Sequence, residues 1–203
     1  MANEQITKEE IRKIMEIPGK VRGVVLQTDA EYVRRKKGEE GVQALKKKTK
    51  EWGFPIEYEK ILATEWYPLG LRVISLLAVK EVFSWGDKEI FDMGNSAPKY
   101  SFIVKMLMKT FLTLKKTFEE CPKYWIKHYM VGVLENYKYN DKGKYLILRL
   151  KDFKIHPILC LYLSGYFLRI GQYGIKGGKK ITVQETKCIH KGDAYHEFVI
   201  KWE

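Results

Sequence analysis

Residues 155–202 read IHPILCLYLSGYFLRIGQYGIKGGKKITVQETKCIHKGDAYHEFVIKW, and the order of elements in this stretch decides the fold. Pro157 suits the first turn of a helix, where its missing N–H would have no partner anyway, so the apolar run 158–171 is expected to be helical. Ser164-Gly165-Tyr166 interrupts that run. Gly174-Ile175-Lys176-Gly177-Gly178-Lys179 superficially matches a phosphate loop. Such a loop follows a strand and opens a helix, whereas this one follows a helix and opens a strand, so it is a turn. Residues 179–187 and 194–202 then read as strands joined around Gly192-Asp193. Cys160 starts the helix, Cys188 ends one strand and His196 lies early in the next, so folding can bring all three together.

Upstream, 133–139 and 144–153 read as a hairpin whose turn is Asn140-Asp141-Lys142-Gly143. The preceding residues are helical in pattern. Thr7 with Glu10 is a capping box for a helix to about residue 16, and Pro18-Gly19 stops it. Residues 21–27 form a β-type run. Thr28 with Glu31 caps a helix that breaks at Gly38 and resumes to Lys50, with Gly53-Phe54-Pro55 as terminator. Residues 56–66 are ambiguous between a strand and an extended connection. Pro68 opens a helix to about Ser84, a second covers 87–93, and Gly94-Asn95-Ser96-Ala97-Pro98 is loop chemistry. Residues 101–118 form the most apolar helix, polar only along the stripe Lys105, Lys109, Thr113 and Lys116. A further helix follows Pro122. Helices first, then strand pairs with one helix inserted, make an α+β fold with helices packed on an antiparallel sheet. The absence of a linker or repeat gives one domain, 1–203, helical to about 130 and strand-rich from about 131.

The tail resembles the C-terminal half of the 4-vinyl reductase domain. The residues that carry the likeness are Cys160 before a Gly-containing helix, Glu185-Thr186-Lys187-Cys188, Lys191-Gly192-Asp193, and His196 before Phe198, where the family pattern has a last Cys in place of His196. The order of elements is similar to the ligand-binding fold shared by 4-vinyl reductase domains, haem-type nitric-oxide sensors and vesicle-tethering TRAPP components. This resemblance implies a helical layer on a twisted antiparallel sheet, frequent dimerisation, and an apolar cavity for a small hydrophobic molecule.

Three kinds of site follow as expectations. Cys160, Cys188 and His196 offer ligands that suit Zn²⁺, and His156 or His190 could supply a fourth. Their spacing is not that of a zinc finger, and two buried thiols beside a sheet-edge histidine is the alternative reading. Phe102, Met106, Phe111, Trp125, Tyr129, Tyr166 and Phe167 are the candidate lining of an apolar ligand cavity, or else the filling of a core. Haem is not expected. The propionate-clamping Tyr-x-Ser-x-Arg motif is missing, its nearest string, Tyr162 to Tyr166, lacks the arginine, and His128 is the axial candidate. Cys121, with no base nearby in sequence, is expected to be structural.

Net charge is +12, spread in clusters at 34–37, 46–48, 115–116 and 176–180 that have acids nearby. A solvated surface is the first reading, and an acidic protein or membrane surface the second. No aromatic RNA-binding strand motif or zinc-finger spacing points to nucleic acid. Three cysteines without a signal-peptide pattern lead to an expected cytoplasmic location. The functional expectation is a non-catalytic sensor or adaptor binding a small hydrophobic ligand, dimeric through helical faces. A scaffold using helix faces and basic surface, or an accessory protein of tetrapyrrole reduction, are the alternatives. No dinucleotide fingerprint supports a reductase acting alone.

Overall fold

A computed structural model describes residues 6–101, 104, 113–175 and 180–203. Among them are six α-helices and two antiparallel sheets, an α+β fold as expected. The chain divides into two compact units, 1–90 and 91–203. No helix among the described residues is long and apolar enough to cross a membrane.

In the first unit, α1 (Lys8–Met15) starts on the expected capping box. The Glu10 N–H donates to Thr7 Oγ1 at 3.2 Å, and the Thr7 N–H donates to Glu10 Oε2 at 2.8 Å. Strand β1 (Lys20–Arg22) pairs with β2 (Trp66–Pro68). The expected strand over 21–27 stops at Arg22, and α2 (Gly23–Glu51) begins there instead. Tertiary contacts override the β-propensity of Val24 and Val25, which are buried. The first helical N–H groups, on Gly23 and Val24, donate to the carbonyls of Glu65 and Ala63 at 2.8 and 3.1 Å. Thr28, expected as a cap, lies inside this helix with its hydroxyl donating to the Val25 carbonyl at 2.8 Å. The break at Gly38 is as expected, with φ 68° and ψ −172° inside α2. The ambiguous 56–66 contains one 3₁₀ turn, Tyr58–Lys60. Helix α3 (Leu69–Phe83) follows Pro68 and buries Arg72, whose Nε donates to Asp29 Oδ2 of α2 at 3.2 Å.

Helix α4 (Asp87–Tyr100) runs through 94–98, which the sequence reading makes a loop. Gly94 serves packing there rather than turning. A Cβ on it would lie 1.9 Å from the Tyr162 carbonyl oxygen. Reciprocally, a Cβ on Gly165 would lie 2.0 Å from the Phe91 carbonyl oxygen. Gly165 therefore does not break its helix, α6 (Ile158–Gly174). It lets two helix backbones touch. Gly165→Ala forces backbone against backbone, with no side chain able to yield. We expect a loss of about 3 kcal/mol, at the upper end of ordinary overpacking, measured by urea denaturation. A loss under about 0.5 kcal/mol would show that the two helices can separate freely.

Helix α5 (Leu114–His128) is capped by Thr113, whose Oγ1 accepts from the Lys116 N–H at 3.2 Å. A helix boundary at Thr113 therefore divides the single expected helix over 101–118. Pro122 lies inside α5 rather than ahead of it. Residues 102–103 and 105–112 lie outside the described residues, and with them the cavity expected beneath that segment. The second sheet has the order β3-β4-β6-β5, from β3 (Val133–Asn140), β4 (Tyr145–Lys151), β5 (Ile181–Lys187) and β6 (His196–Trp202), with every neighbour antiparallel. Both hairpins agree with the sequence reading. Leu146, Leu148, Leu150, Phe198, Ile200 and Trp202 are buried on one face. Helix α6 packs on β5 and β6, and α5 on β3.

Candidate metal centre

The sheet and α6 bring Cys160, Cys188 and His196 together, and add Glu185. The four potential ligand atoms all lie within 4.8 Å of one another. Cys160 sits in the first turn of α6. There the Cys160 N–H donates to the Pro157 carbonyl at 3.0 Å, and the Ile158 N–H donates to His156 Nδ1 at 3.1 Å. His156 thus helps to close the start of α6 and is not among the four donors.

Cys188 follows β5 and is held by the Lys191-Gly192-Asp193 turn. The Cys188 N–H donates to Asp193 Oδ2 at 2.7 Å, and the N–H groups of Lys191 and Asp193 donate back to the Cys188 carbonyl at 2.8 and 3.2 Å. The turn closes on Gly192 at φ 97°, a conformation that glycine adopts without a Cβ penalty.

Glu185 reaches the cluster by plain alternation along β5, facing inward with Ile181 and Val183 opposite Phe198, Trp202 and Ile200. Continued alternation would place Lys187 on the same face. The register shift between Glu185 and Lys187 instead sets Lys187 opposite Glu197 on the other face. His196, opposite Leu150, points inward with Phe198. The expected fourth ligand His190 is displaced by Glu185, and its ring lies 5.6 Å from that of His196.

The distances have the scale of a tetrahedral ion. Two thiolates each about 2.3 Å from Zn²⁺ lie about 3.8 Å apart, and a thiolate and an imidazole nitrogen about 3.6 Å. Cys160 Sγ is 3.8 Å from Cys188 Sγ and 3.7 Å from His196 Nδ1. The histidine is oriented for this role. Its Nε2 lies 3.2 Å from the Phe153 carbonyl oxygen, which can only accept, so Nε2 carries the proton and Nδ1 the lone pair. Yet Nδ1 is also 2.9 Å from Glu185 Oε1. Two acceptors at that distance require a cation between them, either a proton or a metal ion. His196, Cys188 and Cys160 are shielded from water, at 2, 5 and 8% exposed, while Glu185 is half-buried at the rim. Phe153, Leu159, Leu163 and Phe198 line it. Burial, reinforced by the charge of Glu185, pushes the Cys160 thiol well above its usual range in the absence of a metal.

Of the expected ligand-lining residues, Trp125 and Tyr129 stack with ring centroids 4.3 Å apart, and Phe153 meets both edge-on at 5.2 and 5.6 Å. Phe167 packs on Phe198 at 5.0 Å. Tyr166 is half-buried beside it. Phe102, Met106 and Phe111 lie outside the described residues. Phe153, missed in the sequence reading, links the aromatic group to His196 through its carbonyl, just after Asp152 turns the chain with φ 53°. Its signal was weak, because a residue ending a strand reads as a strand residue.

Cys121 lies inside α5. Its thiol donates to the Phe118 carbonyl at 3.0 Å, and burial pushes it up to about 12. Little thiolate exists near neutral pH, so we expect iodoacetamide to leave Cys121 unmodified in the folded protein at pH 8 and to label it on unfolding. Peptide mass mapping reads this directly, and rapid native labelling would contradict it.

No protein-family model and no curated protein matches the sequence. Solved structures do match. An H-NOX protein from S. oneidensis in the Fe(II)NO ligation state aligns with a TM-score of 0.70 and 11% identity, covering 90% of this chain and 99% of that one. An oxygen-binding H-NOX domain related to soluble guanylate cyclases aligns at 0.66 and 11%, covering 90% and 95%. A structure concerned with modulating haem redox potential through protein-induced porphyrin distortion aligns at 0.65 and 13%, again covering 90% and 95%. The fold is thus like that of H-NOX domains, an α+β fold related to the expected ligand-binding fold. These likenesses correct the expectation that excluded haem. That expectation rests on the missing Tyr-x-Ser-x-Arg string and the lone His128, but the chain has the fold of proteins described with iron ligation and haem.

Proposed function

We propose that this chain is a ligand-binding sensor domain whose sheet and α6 are fastened by Zn²⁺ held by Cys160, Glu185, Cys188 and His196. The convergence of four donors from three separate segments, three of them buried and Glu185 half-buried, carries the reading. Two thiolates, an imidazole and a carboxylate suit zinc, and a closed set of four is the composition of structural rather than catalytic sites. The centre joins the start of α6 to the β5–β6 hairpin. Through Gly165, α6 also bears directly on α4. A ligand that moved either helix would therefore work against a fixed sheet, which is how a small binding event becomes a change of shape. The 4-vinyl reductase resemblance supports the same donor positions, with His196 replacing a thiolate by a ligand zinc accepts equally.

The ligand itself is proposed to be a small apolar molecule, with haem as a second reading that the fold likeness favours. His128 is the described residue whose chemistry fits iron. Its Nδ1 lies 2.9 Å from the Tyr124 carbonyl oxygen, which can only accept, so Nδ1 carries the proton. Trp125, Tyr129 and Phe153 give α5 an apolar aromatic neighbourhood. His128 would hold the iron, and bound haem would supply reversible capture of a small gas. Protein expressed with added haem and examined by absorbance and native mass spectrometry separates the readings. A Soret band lost in His128→Ala supports haem, and a retained apolar mass without the band supports the first reading. A bare chain under both conditions contradicts the sensor proposal.

A further inference from the structure

The outer face of the four-stranded sheet uses none of the groups described above. β4 turns Tyr145, Ile147, Arg149 and Lys151 to it while Leu146, Leu148 and Leu150 face inward. β6 contributes Glu197, Val199 and Lys201, and the irregularity in β5 sends Lys187 to this side. A second irregularity, in β3 between Asn136 and Lys138, inserts Tyr137, which is 52% exposed. Bulges re-aim side chains in this way.

The Arg149 guanidinium lies 3.2 Å from the centroid of the Tyr137 ring and 4.7 Å from that of Tyr195, and its Nε donates to Glu197 Oε2 at 2.8 Å. Lys187 Nζ is 5.0 Å from the Tyr195 ring centroid, and Lys138 Nζ is 5.5 Å from that of Tyr145. The two acids on this face are engaged, Glu197 by Arg149 and Glu135 by Lys151 at 2.7 Å. Lys138, Lys187 and Lys201 make no ion pair among the described residues. The charge of the chain is concentrated in the same unit. Residues 91–203 hold 20 Lys and Arg against 10 Asp and Glu, whereas residues 1–90 hold 17 against 15.

We propose that this sheet face binds single-stranded nucleic acid, with Lys138, Lys187 and Lys201 along the phosphates and the rings of Tyr137 and Tyr195 stacking on bases. Charge complementarity selects a polyanion. The rings, fixed in place by Arg149, select one with aromatic faces, since an acidic peptide would use the lysines alone. Linear spacing of residues could not reveal this, because the rings and cations come from three strands and a bulge.

Fluorescence anisotropy of a short fluorescein-labelled oligothymidine with the full chain tests the proposal. Saturable binding is expected at low salt, weakening with a log–log salt slope of about −2 if three phosphates are neutralised. Tyr137→Ala should weaken binding about tenfold without changing the melting temperature, and Tyr137→Phe should restore it. No binding at low salt overturns the proposal. So does Tyr137→Ala binding as tightly as the parent. Labelled polyglutamate bound as tightly as oligothymidine assigns the face to an acidic protein instead, and equally overturns it.

Discussion

Asp29→Ala should cost about 4 kcal/mol of folding stability, because it takes the ion pair from a buried guanidinium. Asp29 and Arg72 are each 1% exposed, so neither charge is screened by water. The pair joins α2 to α3 inside the first unit, where the hydroxyls of Tyr58 and Ser75 form another buried polar contact at 2.7 Å. Removing one charge takes from the other its ion pair in a low-dielectric surrounding. Removing both is different. An Asp29→Leu, Arg72→Met double variant should recover most of the loss, because well-packed apolar groups replace buried ion pairs at little cost. Chemical denaturation of the two single variants and the double variant reads the effect. Single variants within about 0.5 kcal/mol of the parent would show that water reaches the pair.

The second large effect is at Cys188. Cys188→Ser replaces a thiolate by a hydroxyl that binds zinc poorly, and should reduce both bound metal and stability. A metal present at about a thousand times its dissociation constant stabilises the fold by about 4 kcal/mol, and most of that should disappear with the ligand. A strong chelator should destabilise the parent to the same degree and leave Cys188→Ser unaffected. Loss of stability in Cys188→Ser together with indifference of the parent to chelation would make these residues ordinary packing.

Those elements whose signals are local were legible in the sequence. The β3–β4 turn is written in Asn140 and Gly143, and the structure places the Gly143 N–H on Asn140 Oδ1 at 2.8 Å. Pro157 marks the start of α6, and Gly38 the kink in α2. What misled was residue chemistry whose meaning is set by distant neighbours. Gly94 to Pro98 carries loop residues, yet Gly94 is there so that Tyr162 can approach. Val24 and Val25 favour a strand in isolation and are helical because burial outweighs that preference. Thr113 caps the helix that follows it, a start hidden within a continuous apolar stretch of sequence.

The metal cluster divides along the same line. Cys160, Cys188 and His196 are recognisable as ligand types at element ends. Glu185 is not, because alternation sets it inward with Ile181 and Val183 while nothing in its own neighbourhood marks an inward acid as a ligand rather than a strand residue. The haem expectation failed for a related reason. It rests on a missing clamp motif and a lone histidine among aromatics, whereas the likeness to H-NOX proteins lies in the arrangement of elements over 90% of the chain at 11% identity.

Elemental analysis of protein purified without chelator or nickel affinity measures the proposed zinc centre itself. About one zinc per chain is expected, falling well below that in Cys188→Ser and in Glu185→Ala. Parent protein with well under one metal ion of any kind per chain would contradict it.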